Sequence, residues 1–166
     1  LVAAAVPLML AQAIKYDVPP GWASKPPTSS MRVADFTLPK VAGDAEDGQL
    51  TLYYFGGQGG TVQANLDRWI GQMTQPDGRA SKDVATTTTM KTASGLAATL
   101  VDVSGTYVAE VTPGSKERFN KPGFRLRAAV VETPSGPYFV KLTGPAKTIA
   151  KWNDSFLAFV KSLRPA

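Results

Sequence analysis

YYFGGQGGTVQANLDRWIGQM, residues 53–73, joins an aromatic strand end, a double-glycine turn and an amphipathic segment in one run. Val62, Leu66, Trp69, Ile70 and Met73 recur at offsets 0, 4, 7, 8 and 11, which predicts a helix over Thr61–Met73 with one core-facing stripe. Asn65, Arg68 and Gln72 run along its flank, and Pro76-Asp77-Gly78 ends it. A glycine turn before a helix is also the outline of a phosphate cradle. Two details oppose that identification. A P-loop ends Gly-Lys-Ser/Thr, and here Gly60 precedes Thr61 directly; the dinucleotide pattern fails because Val62 stands where its third glycine should be. Gly56–Gly60 therefore reads as a structural turn, with an anion site as its alternative.

Outward from this stretch the period changes to two. Gln49–Phe55 alternates as a strand with Leu50, Leu52 and Tyr54 on one face, and Met31–Leu38 reads as another, stopped by Pro39. Between them GDAEDG, residues 43–48, is an acidic turn expected to be exposed. Downstream, Val84–Lys91 and Leu96–Val103 form a hairpin around Gly95, and Ser104-Gly105 is expected to turn the chain into an edge segment, Thr106–Val111. After an irregular basic stretch, Thr112–Gly123, come strands Phe124–Glu132 and Tyr138–Thr143. Gly144-Pro145 opens a last helix marked by Ile149, Trp152, Phe156, Val160 and Leu163. Short links between consecutive strands require antiparallel pairing. The fold class is α+β, an antiparallel meandering β-sheet flanked by two main α-helices.

With 166 residues, 43% hydrophobic and 19% charged, the chain suits one globular domain with a substantial core. Histidine and cysteine are absent, which removes thiol nucleophiles, disulfides, the usual zinc sites and any histidine-based triad. No metal site, cofactor motif or catalytic motif is read. The net charge of +5 favours anionic partners, but without a basic run interleaved with aromatics nucleic acid is not expected.

LVAAAVPLMLAQA, residues 1–13, is apolar apart from Gln12 and ends in Ala-Gln-Ala, the form of a truncated secretory leader with its cleavage site. The stretch is short of the roughly 20 residues needed to span a bilayer, although a retained anchor is the alternative. Residues 14–166 would then be the mature domain, exported to a bacterial periplasm or beyond, with no stable membrane span after cleavage.

Three stretches carry a family resemblance: IKYDVPPGW at 14–22, NLDRWIGQM at 65–73 and YFVKLTGPAKTIAKWNDSFLAFVKSLRP at 138–165. Together they resemble the PsbP-like superfamily. The resemblance implies an antiparallel sheet with flanking helices. The superfamily includes photosystem accessory proteins, a nuclear transport factor and secreted domains, and it offers no shared catalytic motif to carry over.

Two groups of residues are candidate binding sites. Asn65, Arg68 and Gln72 edge the first helix beside Trp69, and could either line a groove or satisfy nearby backbone. Arg125, Arg127 and Lys141 are read as sharing the outward face of two paired strands, with Lys116, Arg118 and Lys121 in the loop before them. That surface would be either a docking face for an acidic protein or anionic envelope surface, or simply solvated. The reading that follows is a non-enzymatic exported binding or accessory domain. The alternative is a small-ligand carrier whose pocket lies between sheet and first helix, lined by Tyr53, Phe55 and Trp69. A carboxylate-based hydrolase or lyase is more distant, because Asp17, Asp35, Asp67, Asp102 and Asp154 are scattered.

Overall fold

The computed structural model describes residues 14–166; the leader reading of residues 1–13 lies outside them. In chain order the elements are β1 (Ile14–Lys15), β2 (Ala23–Lys25), β3 (Arg32–Leu38), β4 (Gly48–Tyr54), α1 (Val62–Ile70), β5 (Met73–Thr74), a 3-10 turn (Ser81–Asp83), β6 (Thr86–Lys91), β7 (Ala97–Tyr107), β8 (Lys121–Thr133), β9 (Gly136–Pro145), α2 (Ala146–Ser162) and β10 (Arg164–Pro165). The main sheet runs β2-β3-β4-β9-β8-β7-β5, with β6 also on β7, and its pairings are antiparallel. β1 pairs separately with β10, tying the start of the described chain to its end. The expected α+β class with an antiparallel sheet and two helices is what the chain adopts.

Each helix covers one face. Under α2 lie Leu50, Leu52, Val131, Val140 and Leu142, closed by Ile149, Phe156, Phe159 and Val160. Trp22 and Phe36 complete this layer with rings 5.5 Å apart, and Phe159 sits 5.1 Å from Trp22. On the other face Leu66 and Trp69 of α1 pack on Val101, Val103, Leu126, Ala128, Val130 and Phe139. Ala128–Val131 are therefore buried without interruption, because a strand sandwiched between two helices has no outward side.

Several boundaries differ from the sequence reading. Helix α1 stops at Ile70, and Met73 belongs to β5, opposite Tyr107; its side chain joins the Leu66–Trp69 cluster from a strand and not from a helical stripe. Gly71 follows the helix and Val108 donates to the Gln72 carbonyl at 2.8 Å, so sheet pairing takes over the backbone there. Ser104-Gly105 does not turn the chain: β7 continues to Tyr107 through a register shift. Pro145 is the N-cap of α2, not its first helical residue.

The acidic turn is not a free surface loop. Asp44 Oδ2 accepts from Thr148 N at 3.1 Å and Thr148 Oγ1 at 2.6 Å, capping α2, which has no cap of its own. Asp47 accepts from the Lys40 amide, and Glu46 pairs with Lys121 at 2.7 Å. Each of the three carboxylates has a specific structural partner.

Candidate functional site

The glycine turn and α1 are locked together before any ligand is considered. Thr61 Oγ1 accepts from Ala64 N, an N-cap. Asn65 is fully buried and spends both amide hydrogens on the turn, donating to Gly59 O at 2.8 Å and Thr61 O at 2.7 Å. Gly59 has φ +113, and a Cβ there would meet the Phe139 ring at 2.8 Å. Gly59 packs the turn against Phe139, and Asn65 satisfies its backbone carbonyls. Gln72 presents a buried Oε1 without a partner.

Arg68 differs from its neighbours on the flank. It is exposed, its Nη2 donates to Asn65 Oδ1 at 2.7 Å, and its guanidinium lies 5.9 Å from the Trp69 ring centre. No carboxylate among the described residues pairs with it.

Lys141 lies on the α1 face and not with Arg125 and Arg127, which corrects the grouping read from sequence. Ala128 pairs with Lys141, whereas Arg127 pairs with Leu142 and Arg125 with Gly144. Side chains directly opposite in a pair share a face, so the two arginines lie under α2. There Arg125 donates to both Asp102 oxygens, at 2.9 and 2.6 Å, and this partner holds its pKa up. Arg127 is only 7% exposed, bonded to Asn153 and 5.2 Å from the Phe156 ring centre, and burial pushes its pKa down. Both are interior or half-buried groups with partners. Neither forms a solvent-facing docking patch.

Lys141 sits in a different environment. Its Nζ donates to Tyr107 Oη at 2.9 Å and lies 5.2 Å from that ring's centre. Burial, then the charges of Arg68 and Arg32, bring its pKa down to about 8. Tyr107, desolvated and close to Tyr53, is pushed up to about 12. Arg32 stands 5.5 Å from the Tyr53 ring centre and is anchored by Asp35 at 2.9 Å; Asp35 also accepts from Thr51 at 2.6 Å. One helix residue and two strand residues thus bring three cations to one place, floored by two tyrosines. Sequence reasoning named Arg68 and Lys141 separately, placed Tyr53 only in a carrier pocket beside the first helix, and missed Arg32 and Tyr107. Only cross-strand register and a bulge at Arg32–Ala34 unite them.

The other regions are chemically quieter. An open cleft of about 440 Å³ is lined by Gln75, Arg79, Thr86, Asp102, Ser104 and Arg125, but both its arginines already have carboxylate partners, Asp77 and Asp102. Between sheet and α1, where a carrier pocket was envisaged, the rings fill the space: Tyr53 stacks on Phe55 at 5.8 Å, Phe55 meets Phe139 at 5.4 Å and Trp69 meets Phe139 at 6.4 Å. Asp35 and Asp102 occupy opposite faces and do not converge, since Asp35 aligns with the Thr51–Lys141 row and Asp102 with Arg127.

A solved structure of similar architecture decides the fold. The solution structure of cyanobacterial PsbP from Synechocystis matches at a TM-score of 0.55 with 10% identity, over 95% of this chain and 89% of that one. The fold is PsbP-like. A crystal structure of a protein of unknown function from Pseudomonas aeruginosa matches at a TM-score of 0.50 with 15% identity, over 80% and 81% of the two chains. No family model matches the chain, and no curated protein matches it in sequence. At these identities the likeness concerns the PsbP-like fold alone. Among the described residues no helix is long and apolar enough to cross a membrane.

Proposed function

We propose that this domain is an exported, non-enzymatic binding module that docks an acidic protein partner on the α1 side of its sheet. One observation carries the reading. Arg68 and Lys141 have no carboxylate partner among the described residues, while the arginines of the opposite face are paired or buried. Paired cations have their charge spoken for, whereas unpaired ones offer it to a partner. The PsbP-like fold supports an accessory domain over a catalyst, and the apolar segment 1–13 supports export. The carrier alternative is the weaker one, since its intended pocket is filled by packed rings.

The test is retention on an anionic matrix at low salt, compared with Arg68→Glu and with Arg32→Glu. Retention should fall with added salt, drop clearly in Arg68→Glu, and drop less in Arg32→Glu, whose charge Asp35 already holds. Unchanged retention in both removes the docking face. Capture of a partner from envelope extract should be released by salt and lost in Arg68→Glu. Arg68-dependent binding to phosphatidylglycerol vesicles, with no such capture, would replace the protein partner with an anionic surface.

A further inference from the structure

We propose that the space bounded by Arg32, Arg68 and the Lys141–Tyr107 pair is a discrete binding site for one compact oxyanion, a sulfate- or phosphate-type group. This rests on the α1-side reading above and narrows it from a charged surface to a defined ligand chemistry.

The first argument is charge balance. Three cations, Arg32, Arg68 and Lys141, face one carboxylate, Asp35, which is buried and already engaged by Arg32 and Thr51. Burial first, and then the Arg68 and Arg32 charges, disfavour the charged form of Lys141; an anion between the three would relieve the like-charge part. The cations come from three separate elements, β9, β3 and α1.

Donor capacity is the second argument. An ammonium has three N–H donors, and Lys141 uses one on Tyr107 Oη. That bond occupies a phenol lone pair and leaves the Tyr107 O–H free to donate in turn. The Arg68 guanidinium has five N–H groups, of which its Nη2 is bonded to Asn65. Ammonium, phenol and guanidinium donors are the set that recognises a multi-oxygen anion. Size is limited because Lys141 is partly buried and Tyr107 nearly fully so, with the Tyr53 and Tyr107 rings as walls. An extended polyanion would reach Arg68 but not Lys141. The same walls lower the local dielectric and strengthen attraction to a small anion that does enter.

The decisive probe is sulfate, whose charge is fixed across the range in which Lys141 titrates. Sulfate is titrated into the full chain against chloride at equal ionic strength, following the NMR signals of the Lys141 and Arg68 side-chain termini. A saturable sulfate-specific shift is expected, absent in Lys141→Met and weakened severalfold in Arg68→Gln. Affinity should fall roughly tenfold from pH 7 to pH 9.5 as free Lys141 loses its proton, and Arg68→Gln should keep that pH dependence at its lower affinity. Arg68 is exposed, so its variant reports even if Lys141→Met folds poorly. Shifts that match chloride, that never saturate, or that persist in a folded Lys141→Met overturn the site. Polyanion retention that still depends on Arg68 beside a negative sulfate titration would overturn the discrete site and leave the docking reading standing. If sulfate binds, vesicles separate the two sources of such a group: Arg68-dependent sedimentation with phosphatidylglycerol vesicles that sulfate reverses assigns a lipid headgroup, and its absence assigns a free solute.

Discussion

Arg127 donates from Nη1 to Asn153 Oδ1 at 2.5 Å, bridging β8 to the middle of α2 beneath the helix. A guanidinium 7% exposed has no solvent to fall back on, and its Nε, 3.8 Å from Asp102, lacks a hydrogen bond. Arg127→Ala would leave Asn153 without its donor and open a void beside Phe156. The expected loss is about 2–3 kcal/mol, read from the shift in urea midpoint. Arg127→Glu should give little folded protein. Retention on an anionic matrix, per folded molecule, should be unchanged in Arg127→Ala; a variant as stable as the parent would show that the buried bridge contributes nothing.

Asp44 predicts a second loss at a distance. It lies in a turn that composition marks as surface, yet it caps a helix that begins about a hundred residues later. Asp44→Ala should cost roughly 1 kcal/mol, within the usual 0.5–2 for a lost cap, and Asp44→Asn less. Thermal or urea unfolding decides it. A neutral Asp44→Ala would mean that Thr148 finds water or another acceptor at no cost.

The helices, the longer strands and the α+β class were legible because each rests on local periodicity or a breaker: Leu66 and Trp69 repeat on α1, and Phe156 and Val160 on α2. Arg125, Arg127 and Lys141 were misgrouped for a physical reason. Within one strand parity is local, but the relation between two strands depends on the turn. The linker between the strands read as Phe124–Glu132 and Tyr138–Thr143 leaves their register open by one residue. The structure pairs Thr133 with Gly136 across Pro134-Ser135, which sets Lys141 opposite Ala128. A one-residue slip exchanges the faces. The Arg32–Arg68–Lys141 grouping was illegible for the same reason, compounded by the bulge that turns Arg32 toward Tyr53.

Gly136 predicts a steric loss that explains the double glycine of the opening stretch. It has φ +111, and a Cβ built on it would stand 2.5 Å from the Gly57 Cα. Backbone meets backbone there, so no side chain can move aside. Gly136→Ala should cost about 2–3 kcal/mol, combining left-handed strain with displacement of the 56–60 turn. Gly95→Ala is the matched control: its φ is +90 with nothing within 4 Å of a new Cβ, so it carries the strain alone, about 1–2 kcal/mol. Equal losses in the two variants would dismiss the Gly57–Gly136 contact as a constraint.

Lys141 predicts a pH dependence of stability with an unusual sign. Its folded pKa, about 8, lies below the ordinary lysine value of 10.5 because burial and the Arg68 and Arg32 charges disfavour the ammonium. Between those two values the unfolded chain binds more protons than the folded one, so folding stability rises with pH. Below about pH 8 both states are protonated and the penalty is present in full; above 10.5 both are neutral and it is gone. Tyr107 acts in the opposite sense and later, since a phenol raised from 10.0 to about 12 removes stability as pH climbs through that interval. Asp35, Arg32 and Arg68 are the other charged groups of this cluster. Urea unfolding at pH 7 and pH 9.5 should therefore show a gain for the parent protein, on the order of 1–2 kcal/mol after allowance for partial solvent access. Lys141→Met should be more stable than the parent at pH 7 and should lose about half of that advantage by pH 9.5. Saturating sulfate should shrink the parent's gain, because a bound oxyanion stabilises the ammonium that burial disfavours. A parent protein whose stability falls steadily from pH 7 to 9.5, with Lys141→Met following the same course, would show that the Arg32–Arg68–Lys141 cluster carries no such strain.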